Sequence, residues 1–380
     1  MGRGAGVARN ARGTRAVVPV VATWPCSIAI VTLAAAAGVG TRPLPAQEAT
    51  AVLRGVITDT AGTPVPYALV RVLPVGAERF TDARGGFALA GLRLGSYRLQ
   101  ARQVGYEQFE ASVDLGADGA TVRVGLRPLA IRLEELTVSV AGRCRVPGSP
   151  DQGSEAALSA VFAQLRENAR RFAVLADSYP FRYDIERTYS TETEDGEVRR
   201  VGMDTVSYQS TARPRYRPGR VVGWSLGPRG ARTRSLELPS LPDLADSAFV
   251  ANHCFGYGGT VERDGRRLLR LSFRAAESVR TPDVNGEADL DVDSYQLRTL
   301  TVRLTRADRA MPGLATASAV IELTELFPGL LVPGSVRSVV EPTMDTRGVL
   351  RVSRYVDVQR LLRVHFLRAS PAGTPAVTQF

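Results

Sequence analysis

The sequence predicts a mainly β protein with one substantial helix, and three observations carry that prediction. Residues 51–128 alternate short β-rich runs with Gly/Pro turns, residues 154–176 repeat apolar side chains at helical period, and residues 181–356 return to strand-like alternation. The expected architecture is an N-terminal β-sandwich followed by an α+β domain with one helix on a curved antiparallel sheet. At 380 residues the chain can build two or three cores. A hydrophobic share of 44% and a charged share of 23% exclude a broadly disordered chain.

The first 46 residues read as an export signal. A basic stretch, Gly2–Arg15, precedes an apolar run from Ala16 to Val39 and the small-residue site Leu44-Pro45-Ala46. Pro19 and Pro25 interrupt the run, which favours a cleaved signal over a spanning anchor of ~20 residues. Cys26 follows Thr23-Trp24-Pro25, so it is not a lipid-attachment site. All 48 basic residues are Arg. Five of them, with no acid, lie in residues 1–46 and account for half of the net charge of +10. The surplus left to the remainder is too small to argue for a polyanion partner. The expected setting is therefore the periplasm, the outer-membrane periphery or the cell surface.

Beyond that segment two cysteines remain, Cys144 and Cys254. In an oxidising compartment an isolated pair is most simply a disulfide. It would close a loop of about 110 residues. A zinc site competes poorly, because His365 is the only histidine besides His253 and no Cys-x-x-Cys occurs.

From the N-terminal end, the expected strands are Ala51–Asp59, Tyr67–Leu73, Phe87–Ala90, Tyr97–Val104, Tyr106–Leu115 and Thr121–Leu126. Turns at Gly62-Thr63-Pro64, Asp82–Gly86, Leu94-Gly95-Ser96 and Gly116–Gly119 separate them. Alternation places Tyr97, Leu99 and Ala101 inward, with Arg98, Gln100 and Arg102 outward.

The series Gly55-x-Ile57-x-Asp59, Gly62-x-Pro64-x-Pro66-x-Ala68-x-Val70, Thr81-Asp82-x-x-Gly85-Gly86-Phe87, Leu92-x-x-Gly95-x-Tyr97-x-Leu99 and Val104-Gly105-Tyr106 resembles the carboxypeptidase regulatory-like domain. The resemblance spans about 51–136. It implies a transthyretin-like β-sandwich, also described as carbohydrate-binding-like, within a first domain at 51–140. In metallocarboxypeptidases the module accompanies a zinc peptidase. Here neither His253 nor His365 begins a His-x-x-Glu arrangement, which excludes that activity. The same module precedes TonB-dependent receptors, and Leu133–Val138 resembles the strand that follows it there. The remaining chain is too short for such a barrel, which needs roughly 220 residues in strands alone.

Residues 141–153 are a linker by composition. The helix expected over Ser154–Ala176 places Leu158, Phe162, Leu165, Ala169 and Phe172 on one stripe. Gln164, Glu167, Arg170 and Arg171 lie largely off it. Eleven strands are expected next: Phe181–Tyr189, Val198–Tyr208, Gly219–Trp224, Ser235–Glu237, Gly256–Glu262, Arg267–Phe273, Gly286–Val292, Leu297–Leu304, Ala319–Leu326, Gly334–Val340 and Val349–Val356. Asp264-Gly265 marks a hairpin. The second domain is thus expected over 154–366, with a tail at 367–380. Its helix and curved sheet are similar in architecture to the periplasmic lipoprotein-carrier fold. The order of its motifs, from Cys144-Arg145 to Leu297-Arg298, resembles a group of exported bacterial proteins without an assigned activity.

Three constellations invite chemistry. Arg213, Arg215, Arg217, Arg220, Arg229, Arg232 and Arg234, with Trp224 among them, form an acid-free segment that could bind a polyanion through guanidinium contacts. A solvated Pro/Gly-rich loop is the plainer reading. Asp283, Glu287, Asp289, Asp291 and Asp293 lack the Gly and Glu that a calcium loop needs at its sixth and twelfth positions, so no metal is assigned. Gly223-Trp224-Ser225-Leu226-Gly227 has the spacing of a nucleophile elbow, but Pro228-Arg229-Gly230 follows it where a helix is required. No catalytic residue and no cofactor is assigned. The expected function is a non-enzymatic exported binding or envelope-structural protein. Its alternatives are a lipid or lipoprotein carrier using the curved sheet, and a hydrolase with an unrecognised site. Glycan, lipid or another envelope protein are the partner classes, with peripheral membrane association and no nucleic acid.

Overall fold

A computed structural model describes residues 49–131, 143–193, 195–211, 216–226, 232–237, 239–343, 352–371 and 375–380. The expected signal segment and the strand expected at Leu133–Val138 lie outside the described residues. Among the described residues, no helix is long and apolar enough to cross a membrane.

Seven strands build the N-terminal sandwich: β1 (Thr50–Asp59), β2 (Leu69–Leu73), β3 (Ala77–Phe80), β4 (Gly86–Arg93), β5 (Gly95–Arg102), β6 (Phe109–Leu115) and β7 (Ala120–Leu126). One sheet runs β4-β1-β7, with β1 and β7 parallel, and the other β3-β2-β5-β6. Alternation decides which side chains enter the core. Leu53 and Ile57 of β1, and Tyr97, Leu99 and Ala101 of β5, are buried while their neighbours face outward or half outward. Gly85 is required at its turn. It adopts φ +74°, and a Cβ there would stand 2.3 Å from the carbonyl oxygen of Ile57. The sequence pattern missed β3, whose four residues are too few to show alternation.

The remainder comprises α1 (Ala156–Ser178), β8 (Phe181–Thr193), β9 (Val198–Gln209), β10 (Val222–Leu226), β11 (Arg232–Leu236), a short 3-10 helix (Leu241–Ala245) and α2 (Ser247–Ala251). Then follow β12 (His253–Arg263), β13 (Arg266–Ala275), β14 (Val284–Asp291), β15 (Leu297–Leu304), α3 (Ala307–Ala310), β16 (Leu314–Phe327), β17 (Leu330–Pro342), β18 (Val352–Phe366) and β19 (Val377–Gln379). The main sheet runs β12-β13-β14-β15-β16-β17-β18-β8-β9, entirely antiparallel, and β19 pairs with β18. The expected tail therefore contributes a strand. Asp264 and Gly265 both take positive φ and close the β12–β13 hairpin as the sequence predicts. The helix stripe packs as expected: Leu158, Phe162, Leu165 and Phe172 join Phe255, Leu271, Phe273 and Leu300 of the sheet in one core.

The stripe is not the whole of the buried surface of α1. Gln164, Glu167 and Arg171, which lie off the stripe, are also buried. The cause is a second layer, because the sandwich covers the polar side of α1. Gly105 N–H donates to Gln164 Oε1 at 2.8 Å, Arg102 lies 3.9 Å from Glu167, and Arg170 pairs with Glu78. Arg171 is 1% exposed. Its Nη2 donates to the carbonyl of Tyr67 at 2.6 Å, and its Nε to that of Gly329 at 2.9 Å. Burial pulls its guanidinium down to about 10, with nearby Glu167 opposing. Tyr67, Leu69, Phe80 and Val104 of the sandwich belong to the same core as α1 and the long sheet. Glu48–Phe380 is accordingly one unit, although the composition at 141–153 reads as a linker between two.

Cys144 and Cys254 form the expected disulfide, with Cα atoms 5.5 Å apart, and it fastens residues before α1 to the first residues of β12. Replacing both by Ser should lower stability by roughly 4–5 kcal/mol, the loop-entropy value for a closure of this length. Guanidinium unfolding reads this directly, and equal midpoints would show the bond to be idle. Arg171→Met should cost about 1–3 kcal/mol, since the buried carbonyl of Tyr67 loses its donor while the half-buried carbonyl of Gly329 can turn to water. Unfolding midpoints and the rate of proteolysis within the sandwich should both change.

Candidate functional site

The register of the long sheet places facing residues in rows across its strands. One row reads Ala288, Leu300, Ile321, Val336, Gln359, Arg187 and Asp204, from β14 to β9. The next reads Gly286, Val302, Ala319, Ser338, Asp357, Tyr189 and Gly202. Residues directly opposite one another share a face, so this one face passes from apolar to charged as it crosses the sheet.

Two hollows lie along it. The inner one, about 300 Å³, is walled by Phe172 of α1, by Leu241 of the 3-10 helix, and by Leu300, Ile321, Leu323 and Val336 of the sheet. The outer one, about 560 Å³, lies over β17, β18, β8 and β9 and is lined by Tyr189, Met203, Asp204, Val340, Tyr355 and Asp357. Ser338 lines both, so the two adjoin. Each falls within the range of small-molecule pockets, roughly 300–1,000 Å³.

Charge gathers at the outer end. Arg187 Nη2 donates to Asp357 Oδ2 at 2.7 Å, and its guanidinium lies 4.8 Å from the Tyr189 ring centre. Burial works against the Arg187 charge more than any other single influence, yet the Asp357 bond and charge, with Tyr189 and Tyr208, together hold the guanidinium above its ordinary value. Desolvation pushes the Tyr189 phenol up to about 12. Gln359 Nε2 also donates to Asp357 Oδ2, at 3.2 Å.

The residues singled out from sequence fall elsewhere. Arg213, Arg215 and Arg229 lie outside the described residues, as do the side chains of Trp224, Ser225, Arg232 and Arg234. Arg217 and Arg220 are exposed. Trp224 stands opposite Arg234 in the β10–β11 strand pair, so Ser225 lies within a strand, and the residues that directly follow Leu226 lie outside the described ones. The acidic cluster is structural. Asp289 takes two bonds from Arg270, at 2.7 and 2.8 Å, Glu287 meets Arg303 at 3.2 Å, and Asp291 caps the turn at Ser294. Among the described residues, no group of three or more His, Cys, Asp or Glu is placed to hold a metal.

Among the described residues, His253 is the histidine that meets a carboxylate. Its Nε2 lies 3.7 Å from Asp283 Oδ1, and Tyr216 Oη donates to Asp283 Oδ2 at 2.5 Å. Both side chains of the pair are 0% exposed. Burial holds His253 below its ordinary value and Asp283 above, while two backbone carbonyls, of Phe249 and Val284, stand 2.8 and 3.0 Å from the ring nitrogens. This cluster ties α2 to β14 and offers no approach for a substrate.

By its fold, the protein is a β-sandwich module joined to a helix-roofed antiparallel sheet. Residues 52–127 match the family model of the carboxypeptidase regulatory-like domain, and the sandwich is such a domain. No curated protein matches the chain. Among solved structures, a DUF1329 family protein from Desulfovibrio piger is similar at 13% identity and a TM-score of 0.32, over 56% of this chain and 95% of that one. A LolA superfamily protein from Nitrosomonas europaea is similar at 12% identity and 0.29, over 55% and 94%. A 3-chlorocatechol 1,2-dioxygenase from Rhodococcus opacus is similar at 13% identity and 0.19, over 23% and 64%.

The outer hollow depends on β9 holding to β8, and Asp184 on the opposite face secures it. Ser207 donates to Asp184 Oδ1 at 2.6 Å, and Arg363 binds Oδ2. These bonds hold the Asp184 carboxyl below the usual range, Ser207 contributing most. A depressed carboxyl contributes stability in full above its unfolded value, near ~4, and loses it as pH falls through the folded value. Asp184→Asn should therefore flatten the loss of stability below about pH 4. Denaturation midpoints taken from neutral to acid pH test this, and parallel curves for both proteins would refute it.

Proposed function

We propose that the protein is a non-enzymatic exported binding protein that holds an amphiphile in the hollow of its long sheet. The observation that carries this reading is the continuous face that runs from Leu300, Ile321 and Val336 under α1 to Arg187, Asp204 and Asp357 at the open end. An apolar wall beside a charged mouth complements a molecule with an acyl tail and a polar head. A lipid, or the lipid moiety of another envelope protein, has that chemistry. Export is supported by the basic-then-apolar N-terminal sequence and by the disulfide. The sealing of His253 and Asp283 from solvent favours binding over catalysis. On this reading the sandwich is a stay that fixes the helix roof from behind.

The test is titration with N-phenyl-1-naphthylamine, whose fluorescence rises in apolar surroundings. Saturable binding is expected, with displacement by long-chain alcohols. Ser338→Phe, at the junction of the two hollows, should weaken binding at least about tenfold with unchanged circular dichroism. A wild-type protein that fails to bind the probe, or a variant that binds equally well, would sink the proposal.

A further inference from the structure

Within that hollow the charges themselves carry a preference of head group, and this inference rests on the reading of the hollow as an amphiphile site. We propose that its outer end selects an amphiphile with a cationic ammonium head. Three formal charges gather there: Arg187, Asp204 and Asp357. Arg187 is already engaged by Asp357 at 2.7 Å and packs against the Tyr189 ring. Asp204 stands directly opposite Arg187 in the β8–β9 register, yet no ion pair or hydrogen bond holds its carboxylate among the described residues. Asp204 Oδ1 and Asp357 Oδ1 are both shielded from water without a hydrogen-bond partner, as is Arg187 Nε. The end of the hollow therefore carries one uncompensated negative charge and two acceptor oxygens with nothing to accept.

Shielding a carboxylate without a partner is unfavourable, and the ligand that relieves it must bring a positive charge and donors. A carboxylate or phosphate head would bring the wrong sign to Asp204. An alcohol offers a single donor and leaves the charge. An ammonium supplies three donors and a charge, enough to bridge Asp204 and Asp357. The rings of Tyr189 and Tyr355, which line the same hollow, give the cation aromatic faces. The tail then runs past Ser338 toward Ile321 and Leu323, where the lining is apolar.

Displacement of bound N-phenyl-1-naphthylamine by dodecylamine, dodecanol and dodecanoate near neutral pH separates the alternatives, each used below its aggregation concentration. Dodecylamine should displace the probe at a concentration at least about tenfold lower than dodecanoate, with dodecanol between them. Asp204→Asn should abolish the advantage of the amine over dodecanol and dodecanoate. Because Asp204 has no hydrogen-bond or ion-pair partner among the described residues, the variant should keep the wild-type melting temperature. Equal displacement by amine and carboxylate would overturn the head-group proposal and leave the hollow as a general amphiphile site. An amine advantage that survives in the Asn variant would also overturn it. If neither the probe nor dodecanol binds, the reading of the hollow fails and this inference with it.

Discussion

Arg171 carries a guanidinium into the junction between sandwich, helix and sheet, and the arrangement of the whole molecule follows from what it holds there. Its two donors meet the carbonyls of Tyr67, at a corner of the sandwich, and Gly329, in the β16–β17 turn. Both carbonyls belong to residues with positive φ, at 53° and 74°, so each corner is a tight one whose backbone cannot rotate to find another donor. One side chain of α1 thus fixes a loop of each neighbour. Phe80 lies beneath the guanidinium at 5.4 Å, and the Tyr67 and Phe327 rings meet at 4.8 Å, so apolar packing surrounds the polar knot. Removing the guanidinium while keeping the packing would leave the Tyr67 carbonyl buried without a donor and the half-buried Gly329 carbonyl without its tie to α1.

That constraint explains how a hollow survives beneath α1. A helix on a sheet ordinarily settles until its stripe is filled by the residues below. Here α1 is held from behind by Gln164, Arg170 and Arg171 and from the side by Asn168, which accepts from Leu297 N–H and donates to the Tyr295 carbonyl. The sheet beneath extends nine strands along its main order, far wider than one helix can cover. Strands β12 to β16 meet the roof and pack. Strand β17 and the α1-proximal ends of β18 and β8 still join that core through Leu330, Leu361 and Phe181, while the rest of β18 and β8, and β9, run out from under it. The side chains on that uncovered part are the polar members of each row, as a half-wetted face requires.

Most strands of both parts, though not β3 or β19, the helix stripe, the hairpin at Asp264-Gly265, the sandwich and the cysteine pairing were legible in the sequence. Each rests on local periodicity, turn chemistry or the scarcity of cysteine. The second burial of α1 was not. A helical repeat shows one apolar stripe, and nothing in Gln164, Glu167 or Arg171 announces that polar partners from residues 67–105 will cover them. The candidate site was illegible for a related reason. Arg187, Asp204, Asp357 and Tyr189 come from three strands and meet only through register, whereas the eye is drawn to contiguous runs such as the arginines of 213–234. Contiguity in sequence is a poor guide on a sheet, where neighbours along a strand point to opposite faces.

The two edges of the long sheet are finished in opposite ways, and the difference argues for where a ligand enters. At β12 the edge is locked. Cys254 is bonded to Cys144, His253 and Asp283 are sealed with Tyr216, and Phe249 stacks on His253 at 3.9 Å. Polar groups there are satisfied within the protein and shut away from water. At β9 the finish is the reverse. Val198, Val201 and Met203 are exposed, and Asp204 has no hydrogen-bond or ion-pair partner among the described residues. A fold that only needed stability would treat both edges as it treats β12, because an exposed apolar edge invites unwanted pairing. Leaving apolar side chains and an unpaired carboxylate together at one edge makes sense where something amphiphilic passes over it, and the hollow behind that edge is where its tail would come to rest.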